Sequence, residues 1–173
     1  AARRSEYAAA EPKARHRVAA TAMEKLDVVE SLVRRHAGEQ ILVIGQFVEQ
    51  LEAIAERLDA PILTGQTGQA KRDRLFAAMR AGEVPVLVVS KIANFSIDLP
   101  EVSVAIQVSG QYGSRQEEAQ RLGRVLRPKA DGRAAHFYAI VSRDTNDQEF
   151  AAKRQRFLAE QGYAYTILDA AEL

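Results

Sequence analysis

The chain has no cysteine, which removes disulfide bridges and thiolate metal sites from its repertoire and fits a reducing compartment. It also lacks a dominant charge: 24 Lys and Arg stand against 23 Asp and Glu, for a net charge of +1. That balance offers none of the basic excess of a free-standing nucleic-acid binder, so any phosphate contact has to be local. No run approaches the roughly 18 apolar residues of a membrane span; Val84–Val89 is strand-sized and interrupted by Pro85. The N-terminus has no apolar signal core, so secretion is not indicated. The three histidines, His16, His36 and His136, lie far apart without ligand spacing and read as surface or interface positions. Methionine occurs only at Met23 and Met79, and a chain opening Ala1-Ala2-Arg3-Arg4 reads as a processed product or a piece of something larger.

What is present is an ordinary globular composition, 47% hydrophobic and 27% charged over 173 residues, enough for one good core. Residues 1–21 are rich in Ala and Arg and read as a lead-in or partner-dependent segment; residues 22–173 read as one domain. Helical spacing of Leu26, Val29, Leu32 and Val33 predicts a helix from Met23 to His36. The chain then alternates. Strands are expected at Ile41–Ile44, Pro61–Leu63, Val84–Val89, Val102–Val108, Ala134–Val141 and Tyr163–Leu168. Helices are expected at Phe47–Leu58, Gln69–Ala81, Ser114–Leu126 and Thr145–Gln161, the last opened by a capping box of Thr145 and Gln148. Alternating strands and helices, with strands that are apolar throughout, imply an α/β fold whose parallel sheet carries helices on both faces.

Ligands of open parallel sheets gather beyond the carboxyl ends of the strands. The loops expected there are polar: Gly45-Gln46, Thr64-Gly65-Gln66-Thr67, Ser90-Lys91 and Ser109-Gly110-Gln111. They suit close approach to an extended ligand backbone, although Thr67 is also a plain helix cap, Gly65 a turn glycine and Lys91 a solvated lysine. The more informative stretch is Gln120-Arg121-Leu122-Gly123-Arg124-Val125-Leu126-Arg127. On a helix, Gln120, Arg124 and Arg127 fall within about 60° of one another, and Leu122, Val125 and Leu126 fall opposite. Two guanidiniums and an amide on one face, with no carboxylate directly on it, suit a polyanion gripped in bidentate fashion. The plainer reading is a solvated basic face with Glu117 pairing Arg121, which leaves Arg124 and Arg127 unserved.

The pattern Gln-x-x-Gly-Arg-x-x-Arg at 120–127 resembles motif VI of superfamily 2 helicases, and the run Gly113–Arg127 is similar to that of the XPB-type DNA helicases. Val88–Pro100 resembles the XPB form of motif V, and Ile41–Leu58 matches motif IV in position and character. The resemblance covers about residues 22–168. It implies a three-layer RecA-like domain, the second lobe of a two-lobe ATP-driven motor. It further implies Arg127 as arginine finger, Arg124 as a second phosphate contact, Gln120 nearby, and Asp98 toward the ATP ribose or else a turn aspartate. Thr64, Gly65, Ser90 and Lys91 would lie along a DNA backbone, without sequence specificity.

ATP with Mg2+ would be bound mainly by the first lobe, the principal partner. Gly65–Lys71 has the wrong spacing for a phosphate loop, and no Asp-Glu-Ala-His-like run exists. Kinship with XPB implies 3′ to 5′ movement, repair or transcription partners, and a prokaryotic cytoplasmic, nucleoid-associated setting without a membrane. The rival reading is a non-catalytic helicase-like module that docks DNA or a protein. A Rossmann cofactor enzyme is disfavoured because Gly-x-Gly-x-x-Gly is missing.

Overall fold

The computed structural model describes residues 2–11, 14, 23–90, 101–109, 126–127, 131–160 and 166–173. In chain order the elements are α1 (Ala2–Ala9), α2 (Glu24–Arg35), β1 (Ile41–Gly45), α3 (Val48–Leu58), β2 (Ile62–Leu63), α4 (Gln69–Arg80), β3 (Val86–Ser90), β4 (Val104–Gln107), β5 (His136–Ala139), α5 (Asn146–Glu160) and a 3-10 turn at Ala170–Glu172. The strands form one sheet in the order β2-β3-β1-β4-β5. Every pairing is parallel. Central β1 pairs from Ile41–Val86 to Gly45–Ser90 with β3, and from Ile41–Val104 to Ile44–Gln107 with β4.

Alternation of side chains along each strand divides the core into two layers. Ile41 and Val43 of β1 face α2 and α3, joining Leu26, Val29, Leu32, Leu51 and Ile54. Leu42 and Ile44 face the other way and join Phe76 and Met79 of α4, with Leu126 and Phe137 packed alongside. Because both faces of the central strands are covered, β1 and β3 are buried at every position and apolar except at their last residues, Gly45 and Ser90, as in parallel sheets generally. Helix α2 shows why these residues make a helix here. Its buried positions Leu26, Val29 and Leu32 recur every third residue, Glu24 and Asp27 lie in its first turn, and Arg34 and Arg35 lie in its last.

Several expected boundaries move for local reasons. Pro85 has no backbone N–H, so β3 starts at Val86, two residues after the expected Val84, while the Pro85 carbonyl accepts the Ile41 N–H at 2.8 Å. The capping box expected of Thr145 and Gln148 is displaced: the Gln148 side chain accepts from the Asp144 N–H at 3.1 Å, and the Thr145 hydroxyl donates to the Ser142 carbonyl at 2.7 Å. A reciprocal box forms instead at Asp169 and Glu172. The Asp169 carboxyl is held below its usual range, first by the Ala171 N–H and then by Arg143.

Two larger differences concern the ends of expected elements. Thr166–Leu168, the described part of the expected strand Tyr163–Leu168, lies in no strand, and Ile167 is 81% exposed. A short apolar run signals extended chain without ensuring that a sheet edge receives it. At the end of the expected helix Ser114–Leu126, Leu126 is not helical but forms a parallel bridge with Val102. The rest of that helix, 114–125, lies outside the described residues.

One glycine is fixed by space. At Gly45, the last residue of β1, an added Cβ would come within 2.9 Å of Leu51 Cδ2, of Ser109 Oγ and of Val108 Cγ2. Gly45→Ala should therefore lower stability by about 1–3 kcal/mol, read as a lower denaturant midpoint at unchanged slope. An unaltered midpoint would show that α3 and the β4 exit can yield.

Candidate functional site

Parallel strands all leave the sheet at one edge, so the sequence-expected loops are neighbours there. In spatial order the exits are Thr64-Gly65 after β2, Ser90 ending β3, Gly45-Gln46 after β1 and Val108-Ser109 after β4. Leu63 pairs with Val89 and Ser90 with Gly45, which brings Thr64 beside Ser90. Thr64–Thr67 closes as a turn: the Thr67 N–H donates to the Thr64 carbonyl at 3.1 Å, and the Thr64 N–H to Thr67 Oγ1 at 2.9 Å. The Gln66 N–H donates to Thr64 Oγ1 at 3.2 Å. Thr67 thus closes this turn, while the N-cap position of α4 belongs to Gly68. Gly65 is exposed, and a Cβ there would meet nothing within 4 Å, so no contact inside the described chain demands a glycine. Ser90, by contrast, is buried.

Between β1 and β4 the chain leaves in opposite directions, toward β2 on one side and β5 on the other, the switch point where open α/β sheets form a crevice. Here the Gln46 N–H donates to Ser109 Oγ at 2.8 Å. Beside it sits a residue the sequence reading missed. Lys25, on the first turn of α2 and only 3% exposed, donates from Nζ to the Val108 carbonyl at 2.8 Å and to the Ile140 carbonyl at 3.1 Å. These carbonyls lie just beyond the ends of β4 and β5, so one ammonium ties two strand exits to a helix. The sequence carried no signal for this, since a lysine in an amphipathic helix reads as a solvated residue.

Arg127 lies at the other edge. Its backbone N–H donates to the Val102 carbonyl at 2.9 Å, beside the Val102–Leu126 bridge that precedes β4. The guanidinium is half exposed; Nε lies 3.3 Å from Glu101 Oε1, and Nη1 donates to the Leu126 carbonyl at 3.2 Å. The helical wheel that set Gln120, Arg124 and Arg127 on one face therefore fails at Arg127, because the chain has already turned extended at Leu126 to enter the bridge. Nor is the arginine without a carboxylate: Glu101, distant in sequence, supplies one. The signal available was an acidic residue directly after Leu99-Pro100, at the threshold of β4. Asp98, Lys91, Gln120 and Arg124 lie outside the described residues.

The same amino-terminal edge holds a second polar cluster. His36, expected at the surface or an interface, has a side chain only 10% exposed. Its Nδ1 is 2.7 Å from Glu39 Oε2 and its Nε2 is 2.7 Å from Tyr138 Oη. Arg133 approaches the other Glu39 oxygen at 3.7 Å, and the His136 ring lies 5.0 Å from that of His36. Burial pushes the Tyr138 phenol up, Arg35 opposing and Glu39 adding to the effect. Pinned between partners, these groups hold the ends of α2, β1 and β5 together. Among the described residues, no cluster of His, Cys, Asp or Glu could hold a metal ion, and no helix is long and apolar enough to cross a membrane.

Residues 2–172 match the model of the ERCC3/RAD25/XPB C-terminal helicase family. The chain belongs to that family. Among XPB relatives, it is 62% identical over 172 residues to the DNA 3'-5' helicase XPB of Kineococcus radiotolerans, covering 99% of this chain and 31% of that protein. The corresponding protein of Mycobacterium tuberculosis is 59% identical, with 96% and 30% covered. A general transcription and DNA repair factor IIH helicase/translocase subunit XPB from Antonospora locustae is 39% identical, with 96% and 25% covered. The chain thus spans under a third of the length of the curated XPB relatives it matches. In fold it resembles the C-terminal domain of the DEAD-box protein Dbp5, with a TM-score of 0.66 at 20% identity over 80% of this chain and 81% of that one. It also resembles the DEAD-box protein SrmB of E. coli, with a TM-score of 0.63 at 23% identity over 77% and 78%. The fold is RecA-like.

Lys25→Met in this XPB lobe keeps the length of the side chain and removes its donors from the Val108 and Ile140 carbonyls. It should lower stability by about 1–3 kcal/mol, measured by denaturant unfolding. A stability gain would mean that the buried charge costs more than its hydrogen bonds return.

Proposed function

We propose that this chain is the C-terminal motor lobe of an ATP-dependent DNA helicase or translocase that moves 3′ to 5′ and serves DNA repair or transcription. Residues 22–173 are the lobe proper, and residues 1–21 are a lead-in or partner-dependent segment. The observation that carries the reading is the half-exposed guanidinium of Arg127, docked by its own backbone against the entry to β4 and far from the strand exits at Thr64 and Ser90. One sheet then has a phosphate-seeking cation at one edge and a polar backbone-and-hydroxyl surface at the other. The family and the names of its members support a helicase reading.

In this reading the first lobe cradles ATP with Mg2+, and the nucleotide supplies the phosphoryl group transferred to water. Arg127 reaches across the cleft and meets the charge that builds on the γ-phosphate, with Arg124 as a second contact and Gln120 beside it. A planar guanidinium fits this task because it offers two parallel donors to phosphate oxygens and stays charged at any working pH. Asp98 turns toward the ribose. At the opposite edge Thr64 and Gly65, with Lys91, follow the DNA backbone, while Ser90 is buried and backs Thr64 rather than reaching a phosphate itself. Space at Gly65 lets a phosphate approach the peptide N–H groups, and such contacts are independent of sequence. The setting is prokaryotic, cytoplasmic and nucleoid-associated, with repair or transcription proteins as further partners.

Arg127→Ala in the intact helicase should reduce DNA-stimulated ATP hydrolysis by about three to five orders of magnitude, while ATP binding stays within an order of magnitude. Steady-state turnover and equilibrium nucleotide binding measure the two. Near-normal turnover would remove Arg127 from the catalytic cleft.

A further inference from the structure

Arg127 meets its carboxylate across a backbone bridge. Glu101 and Arg127 flank the Val102–Leu126 pair, and the Arg127 N–H to Val102 carbonyl bond at 2.9 Å fixes the two backbones against each other. Their side chains meet with Nε 3.3 Å from Oε1, at 49% exposure for the arginine and 66% for the glutamate. The pair is therefore held in register by main chain while its charges remain in water. An ion pair this exposed shifts an equilibrium by less than about tenfold. It can orient a long side chain, yet it yields readily to a stronger anion. A triphosphate in a closed cleft is such an anion, with more charge and bidentate oxygens away from solvent.

Resting on the reading of Arg127 as the finger, we propose that Glu101 is a parking carboxylate for it. In the open motor Glu101 holds the guanidinium at the mouth of β4. When the lobes close on nucleotide, the guanidinium exchanges the carboxylate for phosphate, and Glu101 is left to water. Glu101 is a competitor in the ground state, and it restrains hydrolysis until closure favours the exchange. No bond is made or broken at Glu101; only the partner of a cation changes.

The test uses the intact helicase in the absence of DNA, with Glu101→Gln, Glu101→Asp, Arg127→Ala and the double variant that joins Glu101→Gln to Arg127→Ala. Affinity for a fluorescent non-hydrolysable ATP analogue is measured beside basal kcat and KM. Because both side chains are exposed, none of these changes disturbs the core. Glu101→Gln should bind the analogue about three- to tenfold more tightly and raise basal turnover by a similar factor. Glu101→Asp keeps the charge and should stay within about twofold of the parent. In the Arg127→Ala background, Glu101→Gln should change neither quantity. Unchanged affinity and turnover in Glu101→Gln would overturn the proposal, as would reduced turnover, or an equal gain without Arg127. Near-normal turnover of Arg127→Ala alone would instead overturn the finger reading, and that result is independent of the Glu101 series.

Discussion

Strand β1 is hydrogen-bonded on both sides and covered on both faces, and most of what this lobe presents to a ligand is referenced to it. Its backbone groups are consumed by β3 and β4, while Ile41, Leu42, Val43 and Ile44 are buried in two separate layers of side chains. A one-residue slip of β1 would move every one of these side chains into the wrong layer. Register is therefore strongly specified, and it passes outward through β3 and β4 to the edge strands. The exits at Gly45, Ser90 and Ser109 inherit their mutual spacing from that ladder. Gly45 completes the arrangement by letting Leu51, Val108 and Ser109 close over the end of the strand.

Charged groups are mostly paired where they stand. At the carboxyl edge a buried ammonium donates to the Val108 and Ile140 carbonyls, and Arg143 pairs with Asp169. At the amino edge stand Arg127 with Glu101, and Arg133 with Asp131 and Glu39. A whole-chain charge near zero is what such pairing produces.

The alternation of elements and the apolar strands were legible because a parallel sheet buried on both sides leaves a simple pattern, and strands β1, β3 and β4 lie where that pattern puts them. Motif spacing also carried the family. What was not legible depended on contacts between residues far apart in sequence. Helical periodicity through Leu126 could not register that Val102 would draw this residue into a bridge. Nothing local to Lys25 marked it as buried, because its partners are carbonyls 83 and 115 residues away. His36 reads as solvated until Glu39 and Tyr138 are brought around it. For Thr166–Leu168 the error ran the other way: extended, apolar chain was present, and no sheet edge took it up.

The bridge at Val102 and the exit at Ser109 lie at the two ends of β4, seven residues apart, at most about 23 Å at roughly 3.3 Å per residue. That stretch is buried along its whole length and laterally bonded to β1 and β5, so it behaves as a strut with little give in compression or tension. A load applied at one end arrives at the other as displacement of the whole lobe, not as deformation within it. Under the proposed assignment, with nucleotide and DNA at opposite ends of this strut, step size would be governed by how far the lobe pivots as a rigid piece. Sequence changes inside the sheet would then alter its durability far more than its stride.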